Sequence, residues 1–348
     1  MTRIKLTVFA LALATCFSAF SQEEEEEKKF SFSGSVDTYF RSNLNASNDP
    51  RNVNGSAAPG TSFANLPGFS LGMVNLVGAY EGEDVGFVAD LVFGPRGEDA
   101  VFASPFYNAA GSSNIANQLY AYWNVSEKVK LTIGNFNTFL GYEVISPTAN
   151  FNYSTSYMFS YGPFSHTGLK ADFTLSESST LMLAVMNPTD ATEFNPNGSY
   201  AVGAQLGISG QYLNVLIDPG FFEIDFTGGF DVSETFYLGV NAAYLSGSND
   251  GPGFYGVALY PQLQTSDSFK IGLRTEYFVE DGAFGAIGSG VADSSVFATT
   301  LSGNYTVGDL TIIPELRLDS GSDDFFFNND GDPASGLASF LLAAVYKF

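Results

Sequence analysis

The stretch FKIGLRTEYF (residues 269–278) alternates between apolar side chains and polar or charged ones. Successive side chains of a β-strand point to opposite faces, so this pattern predicts a strand with one apolar and one polar face. The same period of two recurs in FSFSGSVDTYFR (30–41), VKLTIG (129–134) and LTIIPELRLD (310–319). The chain is therefore predicted to consist largely of half-polar strands.

The composition excludes several classes of protein. The 348 residues carry 14 Lys and Arg against 37 Asp and Glu, and this net charge of −23 repels phosphate backbones and excludes nucleic-acid binding. The single cysteine, Cys16, allows no disulfide and no cysteine-based metal site, and we expect no cofactor. An aromatic share of 15% and 37 glycines favour many strands over a helical enzyme or a disordered acidic chain.

The N-terminus has the pattern of an export signal. Residues 1–21 contain two cations followed by an apolar run and small residues, which predicts a secretory signal peptide cleaved before Gln22. A lipoprotein signal with Cys16 as the lipid acceptor is the alternative. Residues 22–29 are then expected to form an acidic periplasmic tail, and residues 30–348 the folded domain.

Later segments contain no candidate membrane helix, because the longest obvious apolar run, 340–346, falls short of the roughly 18 residues required. An exported, strand-rich chain can still enter a membrane as a closed barrel, in which neighbouring strands pair every backbone group. A soluble sandwich would also alternate, so the arrangement of the connections between strands has to distinguish the two.

Short and long connections take turns along the chain. Short turns are predicted at 81–84, 126–128, 177–179, 209–211, 231–234, 265–268 and 307–309. Long loops are predicted at about 44–68, 97–114, 142–165, 188–199, 247–253, 280–294 and 320–335, with 218–221 as a brief exception. Tight periplasmic turns alternating with longer outer loops are typical of outer-membrane proteins. We therefore predict an all-β fold, a transmembrane antiparallel up-and-down β-barrel of about 16 strands.

The chain ends in SFLLAAVYKF (339–348), where Tyr346 and the terminal Phe348 share a face of the last predicted strand. Such an ending resembles the signal by which the barrel assembly machinery recognises outer-membrane proteins; an ordinary final strand is the alternative. We expect the protein to reside in the outer membrane of a Gram-negative cell, in contact with lipid and lipopolysaccharide.

The segment GNFNTFLGYEVISPTANFNYSTSYMFSYGPFSHTG (134–168) resembles the β-barrel porin-2 family, the OmpL-like outer-membrane porins. The resemblance lies in its G-x-F-x-T, G-Y-E-V-I, N-F-N-Y-S and Y-G-P…H-T-G elements, and it implies a channel-forming barrel. The family often has Lys at the place of Asn135 and Pro at that of Phe139. Losing that Lys removes a group that would attract anions to a constriction.

The same segment contains the third long loop, 141–164, which is too apolar and aromatic to lie comfortably in water. Folding into the barrel would bury its rings and narrow the pore, whereas clustering on neighbouring outer loops is the alternative. The candidates for a constriction are Glu143, Asn150, Asn152, Tyr153, Tyr157 and Tyr161.

The polar faces of the predicted strands supply the candidates for the pore lining, eight acids and six bases. They are Asp37, Arg41, Asp90, Arg96, Lys170, Asp172, Glu223, Asp225, Lys270, Arg274, Glu276, Glu315, Arg317 and Asp319. The excess negative charge lies in the tail, turns and outer loops, where it favours cations or serves solubility and lipopolysaccharide contact through divalent ions. The motif NNDGDP (328–333) lacks the ligand spacing of a calcium loop and predicts a plain turn.

The predicted function is a porin, a water-filled channel for passive diffusion of small hydrophilic solutes or ions, and a homo-oligomer is compatible with it. A solute-specific uptake or binding barrel is the alternative, and an outer-membrane hydrolase is a weaker one. The single histidine, His166, has Ser165 and Thr167 beside it, but sequence neighbours on alternating faces do not by themselves assemble a catalytic triad. We therefore expect no enzyme activity and a structural role for His166.

Overall fold

The computed structural model describes residues 29–49, 58–101, 115–192, 195 and 198–348, so the predicted signal peptide and nearly all of the acidic tail lie outside the described residues. Sixteen strands form a closed barrel, and two further short strands pair in the last long loop. The barrel strands are β1 (Phe30–Asn43), β2 (Gly68–Glu81), β3 (Val85–Phe93), β4 (Ala116–Ser126), β5 (Val129–Asn137), β6 (Ser165–Ser176), β7 (Ser179–Met186), β8 (Ala201–Ile208), β9 (Gln211–Ile217), β10 (Phe221–Asp231), β11 (Phe236–Gly247), β12 (Gly251–Ser266), β13 (Phe269–Asp281), β14 (Ser295–Val307), β15 (Leu310–Gly321) and β18 (Gly336–Lys347).

Every barrel strand pairs antiparallel with its neighbours in sequence, and the barrel closes where β1 meets β18. At this seam Val36 lies opposite Tyr346. Gly34 and the terminal Phe348 exchange two backbone hydrogen bonds of 2.9 Å. Closure leaves no strand edge unpaired, which a hydrocarbon environment requires.

The barrel is apolar outside and polar inside, the reverse of a soluble protein. On β13, Arg274 and Glu276 are 1% and 0% exposed, whereas Tyr277 is 46% exposed. On β15, Leu316 and Leu318 lie on the exposed face, whereas the charged residues that alternate with them, Glu315, Arg317 and Asp319, are buried. This alternation is the one that a lipid-facing surface and a polar interior demand, and it confirms the predicted fold class.

The seven short turns lie where the sequence predicts them, but one predicted long loop is wrong. The connection expected at 247–253 has only residues 248–250 between β11 and β12. Asn249 and Asp250 both adopt a left-handed conformation with φ of 57°, and the Gly251 N–H donates to the Ser248 carbonyl at 3.2 Å. Asn and Asp tolerate this conformation better than other non-glycine residues, so the pair closes a tight hairpin turn.

The long connections carry little regular structure. They contain α1 (Pro95–Ala100), α2 (Tyr157–Tyr161) and the small hairpin of β16 (Phe326–Phe327) and β17 (Pro333–Ala334). Within the described ranges, no helix has the length and apolar character needed to cross a membrane. The motif 328–333 forms the turn of the small hairpin, where the Asn328 side chain accepts hydrogen bonds from the Asp330 and Asp332 N–H groups at 2.9 and 3.0 Å.

Candidate functional site: the lumen and its inner loop

Residues 138–164, which we call the inner loop, connect β5 to β6 and cross the barrel interior. At the start of the loop, the Gly141 N–H donates to Asp225 on β10 at 3.1 Å. Further along, the Tyr153 hydroxyl donates to Asp37 on β1 at 2.5 Å. Strands β1 and β10 are seven positions apart around the sixteen-stranded barrel, so they lie on nearly opposite sides. The loop therefore lies inside the barrel and does not cluster on the neighbouring outer loops.

Wall carboxylates hold the inner loop by its backbone N–H groups. Glu315 on β15 accepts from the N–H groups of Tyr153 and Ser154 at 2.6 and 3.1 Å. Glu276 on β13 accepts from Tyr157 and Met158, both at 2.8 Å, at the first turn of α2. These N–H groups have no partner within a short helix or an irregular segment, and charge-assisted hydrogen bonds satisfy them.

Arginine side chains hold the carbonyl groups of the same loop. Arg317 on β15 donates to the Thr155 carbonyl at 2.8 Å. Arg96 donates to the carbonyls of Ile145 and Tyr153 at 2.9 and 3.1 Å. The fork of guanidinium donors lets one side chain bridge several acceptors, so each arginine fixes a segment of main chain.

The inner loop carries one acidic side chain into this network. Glu143 pairs with Arg274 on β13 at 2.7 Å, and the two side chains are 3% and 1% exposed. Glu143 also accepts from the Ser156 N–H at 2.8 Å. Arg274 reaches the Thr300 hydroxyl of the next strand at 3.1 Å. A buried ion pair with these additional partners is costly to break from either side.

Most of the groups that the sequence assigned to the pore lining are buried rather than facing water. Lys170 and Asp172 are half-buried and form an ion pair of 3.3 Å, and Lys270 is exposed near the periplasmic turns. Arg96 differs also in position, because it lies in α1 rather than on the polar face of a strand. The remaining candidates are buried: Asp37, Arg41, Asp90, Arg96, Glu223, Asp225, Arg274, Glu276, Glu315, Arg317 and Asp319.

The constriction candidates separate into two groups. Glu143, Asn152, Tyr153 and Tyr157 are buried against the wall, whereas Asn150 and Tyr161 are half-buried. The Asn150 side chain is occupied within the loop itself, since it accepts from the Val144 N–H at 2.9 Å and donates to the Val144 carbonyl at 2.6 Å. Asn150 therefore stabilises the turn at the tip of the loop.

Hydroxyl groups of the loop tyrosines are held in their neutral form. Burial, followed by the charge of the neighbouring Asp37, raises the pKa of Tyr153, so its hydroxyl keeps the proton that it donates to that carboxylate. Burial also raises the pKa of Tyr142, whose hydroxyl meets the Tyr237 hydroxyl at 3.2 Å.

Aromatic side chains on the polar face of two strands complete the contact with the inner loop, and sequence reasoning missed them. Tyr260 stacks on Tyr142 with ring centroids 4.2 Å apart, and Phe278 packs against Tyr157 at 5.6 Å. Both wall residues break the alternation of their strands by placing a ring among inward-facing positions. That break in the pattern is the signal that could have identified them.

The lumen remains open on the periplasmic side of the inner loop. A cavity of about 640 Å³ lies there between the loop tip and the periplasmic turns. Its lining includes Thr148 and Phe151 of the loop, Gln262 and Lys270 of the wall, and Glu234 of a turn. This volume is in the range of small-molecule sites, so solutes of that size can occupy this half of the barrel.

His166 is fully buried at the start of β6. Its Nε2 atom lies 3.1 Å from the Thr138 hydroxyl, and its ring packs against Phe136 and Phe139. These contacts fix the point where the inner loop leaves β5 and returns to the wall. Across the described residues, no group of three His, Cys, Asp or Glu side chains is arranged to hold a metal ion.

The sequence profile of the family described as "Putative beta-barrel porin-2, OmpL-like" matches residues 29–348, nearly the whole chain. The chain belongs to this family. The protein is therefore a porin of the outer membrane, as its sequence predicted. Comparison with curated protein sequences finds no match.

Solved structures with the same fold include an outer-membrane channel and porins. The outer membrane channel DcaP of Acinetobacter baumannii superposes with a TM-score of 0.61 and 14% identity, over 92% of this porin and 97% of that chain. The anion-selective porin from Comamonas acidovorans gives 0.56 and 10%, over 92% and 99%. The trimer form of OmpT of Vibrio cholerae gives 0.54 and 10%, over 92% and 99%. At these identities the likeness is one of fold.

Proposed function

We propose that this porin passes small hydrophilic solutes or ions by passive diffusion, and that the inner loop sets the size of the passage. The main support is the anchoring of that loop across the lumen by Asp37, Asp225, Glu276 and Glu315. The anchors bind mainly main-chain atoms, so the path of the loop across the lumen is fixed. A narrow passage follows, with a lower conductance than an unobstructed sixteen-stranded barrel allows.

Charge at the outer face supports a preference for cations. Outer-loop carboxylates, including Asp281, Asp293 and Asp324, are exposed at that mouth. The charged wall residues at the level of the inner loop, in contrast, already form hydrogen bonds with the loop. Exposed carboxylates raise the local concentration of cations, and salt screens the effect over about 10 Å at 0.1 M. The preference is expected to be modest and to fall with ionic strength.

Export, assembly and partners complete the proposal. Residues 1–21 direct export, and the C-terminal strand with Tyr346 and Phe348 is recognised by the barrel assembly machinery. Lipid and lipopolysaccharide surround the exposed apolar face. The trimer form of OmpT supports a homo-oligomer of this porin as well. The contacts of His166, a hydroxyl and two aromatic rings, support a structural role and no catalytic activity.

Planar-bilayer recording tests the proposal. The refolded wild-type porin should give ohmic channels of small conductance. Their reversal potential in a KCl gradient should indicate a preference for cations. Deleting residues 146–151, the loop tip, should raise the conductance while leaving the anchors from Tyr153 onward in place. If neither protein conducts although both barrels are folded, the channel function is wrong. If both conduct equally, the loop does not set the passage.

A further inference from the structure

A second cavity, of about 360 Å³, lies on the outer side of the inner loop, and we call it the outer cavity. It is bounded by the end of the inner loop, the connections after β7 and β9, and the neighbouring wall. Aromatic rings of Tyr161, Phe221 and Phe284 line it together with the carboxylates of Asp190 and Asp218. All of its lining residues belong to the described part of the chain, and none of them is basic.

Backbone hydrogen bonds hold both carboxylates of the outer cavity in place. Asp190 accepts from the N–H groups of Phe164 and Ser165 at 2.9 and 2.8 Å. Asp218 accepts from the N–H of Thr189 at 2.8 Å. Burial raises the pKa of Asp190 to about 6, and the Asp218 charge contributes to the shift. The Asp190 side chain is half-buried at the cavity wall, where a nearby cation favours the charged form of the carboxylate.

A third carboxylate lies next to the outer cavity and lacks a partner. Glu223 points inward from β10, is 2% exposed, and its Oε2 atom accepts no hydrogen bond. It interacts electrostatically with Asp190 and Asp225, both of them acids. A side-chain carbon at Gly162, which lines the cavity, would lie 3.8 Å from Glu223 Oε1. An uncompensated buried carboxylate is costly, so Glu223 is stable there either in its protonated form or beside a cation.

The shape of the site argues for an organic cation rather than a metal ion. The three carboxylates are not among any metal-holding groups of the described residues, so they do not converge on one ion. Asp190 and Asp218 line a volume large enough for a small molecule, and the aromatic rings favour an ammonium group through their π faces and an apolar stem through their area. We propose that the outer cavity binds a primary ammonium group carried on a short apolar or aromatic stem, with Asp190 as its charged partner and Glu223 beside the cavity, behind Gly162. Selection of such solutes for passage rests on the proposed channel function, whereas binding itself does not.

Calorimetric titration of the refolded porin in detergent tests the binding directly, with benzylamine as the probe and benzyl alcohol as its neutral counterpart. Benzylamine should bind saturably and benzyl alcohol should not. Asp190→Asn should weaken benzylamine binding at least tenfold, and Glu223→Gln should weaken it by a smaller factor. Asp330→Asn, which removes an exposed outer-loop charge away from the cavity, serves as the matched control and should leave it unchanged.

Three results would overturn the site. They are equal binding of benzylamine and benzyl alcohol, wild-type affinity in both cavity variants, and displacement of benzylamine by calcium at concentrations below those of benzylamine. Because Asp190 lies in a loop, its variant keeps the test valid even if Glu223→Gln misfolds. In a bilayer, benzylamine added to the outer side should reduce the single-channel current. Binding in detergent by a porin that does not conduct would leave the site intact and refute the channel function alone.

Discussion

Replacing Glu315 with Ala should release the middle of the inner loop and open the passage. In the structure this carboxylate accepts from two loop N–H groups, those of Tyr153 and Ser154, and from the Ser302 hydroxyl at 2.7 Å. Alanine removes all three acceptor contacts and leaves the two backbone N–H groups without their charged partner. Water can satisfy them only if the loop moves away from β15.

The size of the effect follows from the two lost backbone contacts. A hydrogen bond to a charged group contributes about 1.5–3 kcal/mol, so the loop loses about 3–6 kcal/mol of its attachment. At about 1.4 kcal/mol per factor of ten, the population with a detached loop should rise by roughly two to four orders of magnitude. Glu315→Gln keeps one acceptor oxygen and should give an intermediate effect.

Single-channel recording measures this change, with heat-modifiable gel migration as the check that the barrel is folded. The alanine variant should show long openings of higher conductance that are rare in the wild type, and the glutamine variant should fall between them. Glu177→Ala, in an exposed periplasmic turn, is the matched control. Wild-type conductance and open-state distributions in a folded Glu315→Ala barrel would refute the anchoring role of this carboxylate.

Three further perturbations test other parts of the structure. Deleting Phe348 removes its two backbone hydrogen bonds to Gly34 at the seam and should lower the yield of heat-modifiable barrel; an unchanged yield would contradict the role of the terminal residue. Because the pKa of Asp190 is raised to about 6 by burial, the folded state binds the proton more tightly than the unfolded chain, and thermal stability should fall as the pH rises from about 4 to 6. Asp190→Asn should flatten that dependence, and an equal slope in both proteins would exclude Asp190 as its source. Glu143→Gln leaves Arg274 without its partner and should shift the reversal potential towards anions; an unshifted potential would place this pair outside the ion path.

Fold prediction succeeded because strand alternation is local. The residues of a single strand show which of its faces is polar and which is apolar, as Arg274, Glu276 and Tyr277 do on β13. The alternation of short and long connections then indicates a transmembrane barrel. The turn at 248–250 could also have been predicted, since Asn249 and Asp250 are typical of a two-residue hairpin turn.

The inner loop's contacts were not predictable from sequence for a physical reason. Its anchors bind backbone atoms, such as the Tyr153 N–H and the Thr155 carbonyl, and every residue carries those groups whatever its side chain. An acid on the polar face of a strand is equally compatible with lining water and with holding a loop. Glu315 was therefore identified as inward-facing, but its partner could come only from the three-dimensional structure.

The position of the inner loop in the lumen can be tested most directly by cross-linking two engineered cysteines. Asn152 Nδ2 donates to Ser302 Oγ on β14 at 2.6 Å, so the two side chains are in contact and a short bifunctional methanethiosulfonate can span cysteines placed there. In a refolded barrel lacking residues 1–21, and so lacking Cys16, the Asn152→Cys/Ser302→Cys protein should cross-link in high yield. It should then resist further thiol labelling and keep the small wild-type conductance until the cross-link is reduced. Two thiols that the reagent never bridges in a folded barrel would contradict an inner loop anchored across the lumen.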